Sequence, residues 1–157
     1  KVPSGLLTER IASTLSKLKT AEKELERLRK EQLTAAAAQI VGTAKDAAGV
    51  KVIAHDAGTV SGADDLRGLA LDLRTRLGSE PAAVAVAGVS NDRPVILVAT
   101  NEAARSAGVK AGALVRLAAG ILGGGGGGKD DVAQGGGTDA SKVGAALTAV
   151  VDAITRR

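Results

Sequence analysis

The first third of the chain carries a narrow apolar seam on a highly charged background. Its apolar residues recur at spacings of three or four or sums of these, with Lys, Arg and Glu between them. This pattern is typical of one leg of a coiled coil. About 30 residues at 1.5 Å each give a rod of roughly 45 Å. We therefore predict a helical coiled-coil subdomain over residues 1–48. The positions predicted for self-association are Leu7, Ile11, Leu15, Leu18 and Leu25.

Residues 49–157 combine strand patterns with helix patterns. A strand is predicted from residue 50, and residues 84–89 and 95–99 are apolar at nearly every position, which suits strands covered on both faces. The short turn at residues 90–93 predicts that these two strands are an antiparallel pair, and the strand–helix–strand order before them predicts a right-handed parallel crossover. Helical spacing predicts a helix near 61–77, short helices at 101–106 and 110–119, and a final helix after Thr138 or Asp139. The predicted fold class is α+β (α/β-like), a small mixed sheet with packed helices.

A glycine-rich stretch at residues 120–138 precedes the final helix. Six consecutive glycines lead to Lys129, and three more follow Gln134. Glycine has no Cβ, so other molecules can approach its backbone closely. Three interpretations stand: a flexible linker, a nest that cradles phosphate, and a loop packed on its own domain. Because the stretch runs directly into a helix, we expect a loop whose helix N-terminus favours an anion.

Composition narrows the possible functions. The 157 residues include no Cys, Met or aromatic residue, and His55 is the single histidine. Thiolate metal sites, disulfides and Cys–His catalysis are excluded, so we predict no catalytic residue and no metal site. The chain has no aromatic side chain on which a base of single-stranded nucleic acid could stack, although the guanidinium planes of Arg partly substitute. No apolar run approaches a membrane span and no signal peptide is present, so we expect a soluble intracellular piece of a longer protein, with no membrane partner.

The glycine stretch matches neither of two nucleotide-binding motifs. A P-loop reading of residues 123–129 requires Ser or Thr next, where this chain has Asp130. Both a P-loop and a Rossmann fingerprint also require a strand before the glycines, and a helical pattern precedes them here.

Several motifs resemble the C-terminal domain of bacterial alanyl-tRNA synthetases, which is the DHH-associated domain with a preceding coiled-coil helix. The glycine cluster is followed by a basic residue, an Ala-Gln pair, a second glycine group and Thr-Asp, as in that family. The matching residues are Lys129, Ala133, Gln134, Gly135, Gly136, Gly137, Thr138 and Asp139. The chain departs from the family's usual Arg-Pro-Asp-Met after the glycines, and Lys129 lacks the planar fork of Arg.

The resemblance implies a non-catalytic domain that contacts the outer corner of tRNA(Ala) and helps the aminoacylation and editing sites share it. It also implies the rest of the synthetase chain as a partner, a possible homodimer and a cytoplasmic location. The fragment itself should need no cofactor, while the parent ligase would use ATP, Mg and a zinc in its editing domain. The alternative is a mainly structural dimerisation module. An independent hydrolase is least favoured, because one histidine cannot supply the metal ligands.

The net charge of +4 permits a polyanionic partner, and residues 1–34 hold eight Lys and Arg against five Glu. The nucleic-acid-binding hypothesis therefore combines the glycine stretch with the basic residues of the rod. From the glycine stretch it takes Gly126, Gly127, Gly128, Lys129, Gln134, Gly135 and Gly136. From the rod it takes Lys19, Lys23, Arg27, Arg29 and Lys30.

Overall fold

The computed structural model describes residues 4–156, apart from the side chain of residue 33. It contains one long helix followed by a sheet with packed helices, so the predicted α+β class is confirmed. The helices are α1 Ser4–Val41, α2 Ala63–Arg76, α3 Glu102–Ser106, α4 Ala111–Ile121 and α5 Val143–Thr155, the last preceded by the 3₁₀ turn Ala140–Lys142. The strands are β1 Lys45–Ala47, β2 Val50–Thr59, β3 Ala82–Ser90, β4 Arg93–Thr100, β5 Gly125–Gly128 and β6 Val132–Gly136.

The chain forms two compact units, Lys1–Ala36 and Ala37–Arg157. In the first, every side chain described from residue 4 to 32 is exposed. The second begins before α1 ends, because Ala37 and Ile40 are buried. This division differs from the predicted boundary after residue 48, since the last turns of the helix already pack into the second unit. Residues 1–3 of the predicted rod lie outside the described residues.

The seam of α1 is solvent-exposed within its own unit. Its Leu and Ile side chains are 45–57% exposed, the extremes being Leu28 and Leu15. The seam is therefore a real apolar stripe, and its predicted role in self-association stays a prediction.

The second unit is organised around a six-stranded sheet in the order β1-β2-β3-β4-β6-β5. β2 and β3 are parallel, joined through α2 as predicted, and the other neighbours are antiparallel. One face packs on α4 and α5 through a cluster that includes Ile96, Val98 and Val115. The opposite face of β3 and β4 packs on α2. The core lies between these layers and is built from Ala, Val, Leu and Ile alone.

The side chain of Asn101 joins three segments at the end of β4. Its Oδ1 accepts hydrogen bonds from the N–H groups of Ala82, at 3.0 Å, and Ala104, at 2.9 Å. Its Nδ2 donates to the carbonyl oxygens of Gly78 and Glu80. One amide side chain therefore caps α3 and fixes the start of β3.

The glycine stretch is not a loop. Residues 125–128 and 132–136 are paired antiparallel strands, and β6 also pairs with β4. The prediction was wrong because glycine carries no side-chain pattern, whereas backbone pairing with β4 fixes this segment as a strand. The 3₁₀ turn follows directly and is capped by Asp139, whose Oδ1 accepts from the Ser141 N–H at 3.1 Å. This carboxylate occupies the turn's start, so the expected anion site at a helix N-terminus is not formed there.

Candidate nucleic-acid interface

The glycine hairpin, β5 and β6 with their turn, forms one edge of the sheet. Gly125 pairs with Gly136, and Gly127 pairs with Gln134. The Lys129 N–H donates to the Val132 carbonyl oxygen at 3.1 Å and closes the turn. The hairpin thus holds all seven of the predicted glycine-stretch residues in one small element.

One face of the hairpin is packed directly on α4. A Cβ added to Gly126 would lie 2.7 Å from Val115 Cγ1, and one added to Gly135 would lie 2.9 Å from the same atom. Real Cβ atoms essentially never come within 3.0 Å of another heavy atom. Glycine is therefore required at both positions so that the helix can lie against the strands.

The other face of the hairpin is open. A Cβ at Gly125 or Gly127 would meet no atom within 4 Å, and neither residue has a positive φ. The register aligns Gly127 with Gln134 and with Leu97 of β4, so this is the face on which α2 covers β3 and β4. We call the open surface formed by Gly125, Gly127 and Gln134 the glycine shelf. Gly136 lies on the same face but is not open, since a Cβ there would lie 2.9 Å from the Pro94 carbonyl oxygen. The glycine positions have no side chain to cover the backbone, so another molecule can approach it closely.

Three arginines lie on the same face of the sheet as the glycine shelf. Arg93 begins β4 two residues before Val95, whose partner is Gly136, and so lies on the same face. Arg74 of α2 extends towards the end of β4, where its Nη1 lies 3.4 Å from the Thr100 carbonyl oxygen. Arg67 precedes Arg74 by two helical turns and lies on the same side of α2. Within residues 4–156 none of the three forms an ion pair.

These arginines were not predicted from the sequence. Two of them have the spacing of an ordinary solvated helix face, and the third lies in a turn motif. Arg93 could have been found from the register of β4 with the hairpin, but that register is known only once the glycines are known to form a strand.

The turn of the hairpin is held against the sheet beside Lys129. The buried Thr100 N–H donates to the Asp131 carbonyl oxygen at 2.8 Å, and the Ala111 N–H donates to that of Asp130 at 3.0 Å. Lys110 Nζ lies 3.8 Å from Asp130 Oδ2, which offsets the negative charge next to Lys129. Lys129 itself is exposed and forms no ion pair among the described residues.

The predicted basic residues of α1 divide into two groups. Four lie on one face of the helix at spacings of four, four and three, and this face borders the apolar seam. We call this group the basic stripe; it consists of Lys19, Lys23, Arg27 and Lys30. Arg29 lies one turn after Leu25 and so belongs to the seam side.

Arg27 differs from the lysines of the basic stripe. Its guanidinium pairs with Glu24 and with Glu31, whose Oε1 lies 2.7 Å from Nη1. The hydrogen bonds that Arg27 donates to Glu24 raise the pKa of Arg27 and lower the pKa of Glu24. The charge available to an anion therefore comes mainly from the lysines.

Two further results concern the predicted absences. In the part of the chain that the structure describes, no group of three or more His, Cys, Asp and Glu is placed to hold a metal ion. No helix within residues 4–156 combines the length and apolarity needed to cross a membrane.

Comparison with known proteins identifies close relatives. A family model described as the DHHA1 domain matches residues 24–156. The chain is 93% identical over its whole length to alanine–tRNA ligase from Arthrobacter sp. (strain FB24), and 83% identical to that from Paenarthrobacter aurescens (strain TC1). It spans 18% of the length of each. Among solved structures it is similar to the C-Ala domain of Aquifex aeolicus alanyl-tRNA synthetase, with 25% identity and a TM-score of 0.62, covering 72% of this chain and 98% of that domain.

Proposed function

Since the chain belongs to the DHHA1 domain family, we propose that it is the tRNA-binding C-terminal domain of an alanine–tRNA ligase in the cytoplasm. In this proposal the domain is not catalytic and binds tRNA(Ala) by shape and backbone contacts. It keeps the tRNA on the enzyme while the aminoacylation and editing sites, in the rest of the ligase, use it in turn. ATP, magnesium and the zinc of the editing domain belong to that remainder.

The observation that carries the proposal is the glycine shelf together with the three arginines on the same face of the sheet. Bare strand backbone lets a sugar–phosphate chain approach closely, while guanidinium groups that have no carboxylate partner supply charge-assisted hydrogen bonds to phosphate. Gln134 adds an exposed amide on the same surface. Phosphate contacts fix position rather than sequence, which suits recognition of a folded RNA by a chain without aromatic residues.

The proposal is tested by measuring the affinity for a tRNA(Ala) transcript over a salt series. Each phosphate contact contributes roughly −0.7 to −0.9 to the log–log slope, so replacing Arg67, Arg74 and Arg93 by Gln should reduce its magnitude by about 2–3. Arg116→Gln is the matched control, because Arg116 is an exposed residue of α4, on the other face of the sheet. Absence of tRNA binding by the unaltered chain at low salt would contradict the proposal.

The turn and shelf are tested separately from the arginines. Lys129→Ala combined with Gln134→Ala removes one free cation and one amide without touching a buried side chain. We expect weaker tRNA binding with an unchanged melting temperature. An unchanged affinity would place the RNA elsewhere on the domain.

A second candidate function, dimerisation, is favoured by the exposed seam of α1. Leucines that are about half exposed along a helix have the spacing of a coiled-coil interface, and their seam lies beside the basic stripe without including it. One helix is therefore able to pair through its seam and still present lysines to RNA. Light scattering at high micromolar concentration should detect a dimer that Leu15→Glu disrupts and that Ser16→Glu, on the opposite side, leaves intact. Monomers alone in the unaltered chain would exclude this function.

A further inference from the structure

The outer edge of β2 is only partly covered. β1 pairs with residues 50–52, yet β2 continues to Thr59, and no strand in residues 4–156 pairs with that continuation on the β1 side. The Lys51 N–H donates to the Pro81 carbonyl oxygen at 2.8 Å, on the β3 side. Because backbone groups alternate along a strand, those of Ala54 and Asp56 point away from β3. Both residues are exposed, so the edge is accessible.

A cleft of about 480 Å³ lies beside this edge, between β2 and α5. Its apolar wall contains Val52, Leu147 and Val151, and Thr148 contributes a hydroxyl. Lys45 is the one lining residue with a formal charge. Among the described residues it has no carboxylate within 4 Å. The cleft therefore combines an apolar floor with a single unpaired positive charge.

The cleft is separate from the glycine shelf. The strand order places β1 and β2 at one edge of the sheet and β5 at the other. The cleft also lies on the α5 face, whereas the shelf lies on the α2 face. The proposed tRNA contacts do not account for it.

We propose that this edge binds an extended acidic peptide segment of a partner protein, which adds to β2 as a further strand. Backbone hydrogen bonds to Ala54 and Asp56 supply affinity, and the cleft supplies specificity. Residues directly opposite each other in a sheet point to the same face. The peptide residue opposite Ala54 therefore directs an apolar side chain into the cleft. Lys45, opposite Val52, stands at the end of the added strand and selects a carboxylate.

The probe is acetyl-Thr-Val-Thr-Val-Glu-amide, added to the isotope-labelled chain at about 1 mM, where a weak site is roughly half filled. We expect saturable NMR shifts and slower hydrogen exchange at the amides of Ala54 and Asp56. The same peptide with Lys in place of Glu should bind more weakly, and Lys45→Glu should reverse that preference. Unchanged amides at these two residues, or equal binding of both peptides, would overturn the proposal.

A second variant blocks the cleft from α5 and leaves β2 unaltered. A Cβ at Gly144 meets nothing within 4 Å, and leucine is the stronger helix former, so Gly144→Leu should fill the cleft without unfolding α5. Gly68→Leu is the matched control, since that position is equally open on α2. Peptide binding lost in Gly144→Leu and kept in Gly68→Leu supports the proposal. Binding kept in both, or displacement of the peptide by tRNA, would overturn it.

Discussion

Neighbouring glycines of β5 should respond to substitution in opposite directions. Gly126→Ala places a Cβ 2.7 Å from Val115 Cγ1 and against the Cα of Gly135, so the hairpin must shift away from α4. Overpacking of this kind costs about 1–3 kcal/mol. Gly127→Ala meets nothing within 4 Å and requires no left-handed backbone. It restricts the unfolded chain and should stabilise the fold by about 0.4–1 kcal/mol.

Calorimetry is the suitable assay, because a chain without aromatic residues has no intrinsic fluorescence signal. For a protein of this size, 1 kcal/mol shifts the melting temperature by roughly 2–4 °C. We expect Gly126→Ala to melt roughly 2–12 °C lower and Gly127→Ala to melt roughly 1–4 °C higher. The exposed part of α1 buries little surface, so the transition reports mainly on the packed unit.

The same pair of variants tests the interface. The methyl group of Gly127→Ala holds an RNA backbone away from the glycine shelf, so tRNA binding should weaken although the fold is more stable. Equal loss of stability in both variants would refute the division of the hairpin into a packed face and an open one. A stabilised Gly127→Ala with unchanged tRNA affinity would refute contact between RNA and the shelf. Gly120→Ala, which is open and lies on α4 at the other face of the sheet, controls for the general effect of removing a glycine.

Three further predictions follow from single interactions. Asn101→Ala leaves the buried amide of Ala82 without its acceptor and uncaps α3, so calorimetry should show a loss of about 2–4 kcal/mol. The hydrogen bond that Ser141 donates holds the pKa of Asp139 below its usual 3.8. The cap that Asp139 forms should therefore persist above pH 3.8 and weaken only as the pH falls through the lower pKa of the folded state. The NMR shift of the Ser141 amide measures this loss. Replacing the three lysines of the basic stripe by Gln should reduce the magnitude of the tRNA salt slope by about 2–3, whereas Arg29→Gln on the seam side should leave it unchanged.

The sequence predicted those elements whose side chains carry a period. β3 and β4 were recognisable because both are apolar at nearly every position, and both are covered on two faces. The buried stripe of α2 and that of α5 fell at helical spacing, and the structure buries Leu66, Leu73, Val150 and Ile154 as that spacing requires. Burial on a defined face is what produces such a pattern.

The strands that were missed carry no pattern of their own. β1 has three residues, of which Ala47 alone is buried, so it is too short for alternation to appear. β5 consists entirely of glycine, and its strand conformation depends on pairing with β6 and on Val115 of α4. The information that fixes these strands therefore lies in other segments of the chain.

The glycines of the candidate site could be predicted from the sequence, and its arginines could not. Gln134 and its neighbouring glycines came from a local motif, which survives in any fold that keeps the segment together. Arg67 and Arg74 belong to α2 and Arg93 to β4, and they reach the face of the glycine shelf only through the packing of α2 on the sheet and the register of β4 with β6. Sites assembled across strands need that register before they can be recognised.

The alternation of packed and open glycine positions along the hairpin restricts the roles that these glycines can have. Packing on α4 accounts for Gly126 and Gly135, where a Cβ would collide with Val115. It does not account for Gly125 or Gly127, where any side chain would fit and glycine costs strand stability of roughly 0.5–1 kcal/mol. A linker would need neither the pairing nor the packing that the hairpin shows. The open glycines are explained if a partner lies against the strand at van der Waals distance, and the arginines on the same face of the sheet, which form no ion pair among the described residues, make an anionic partner the best match.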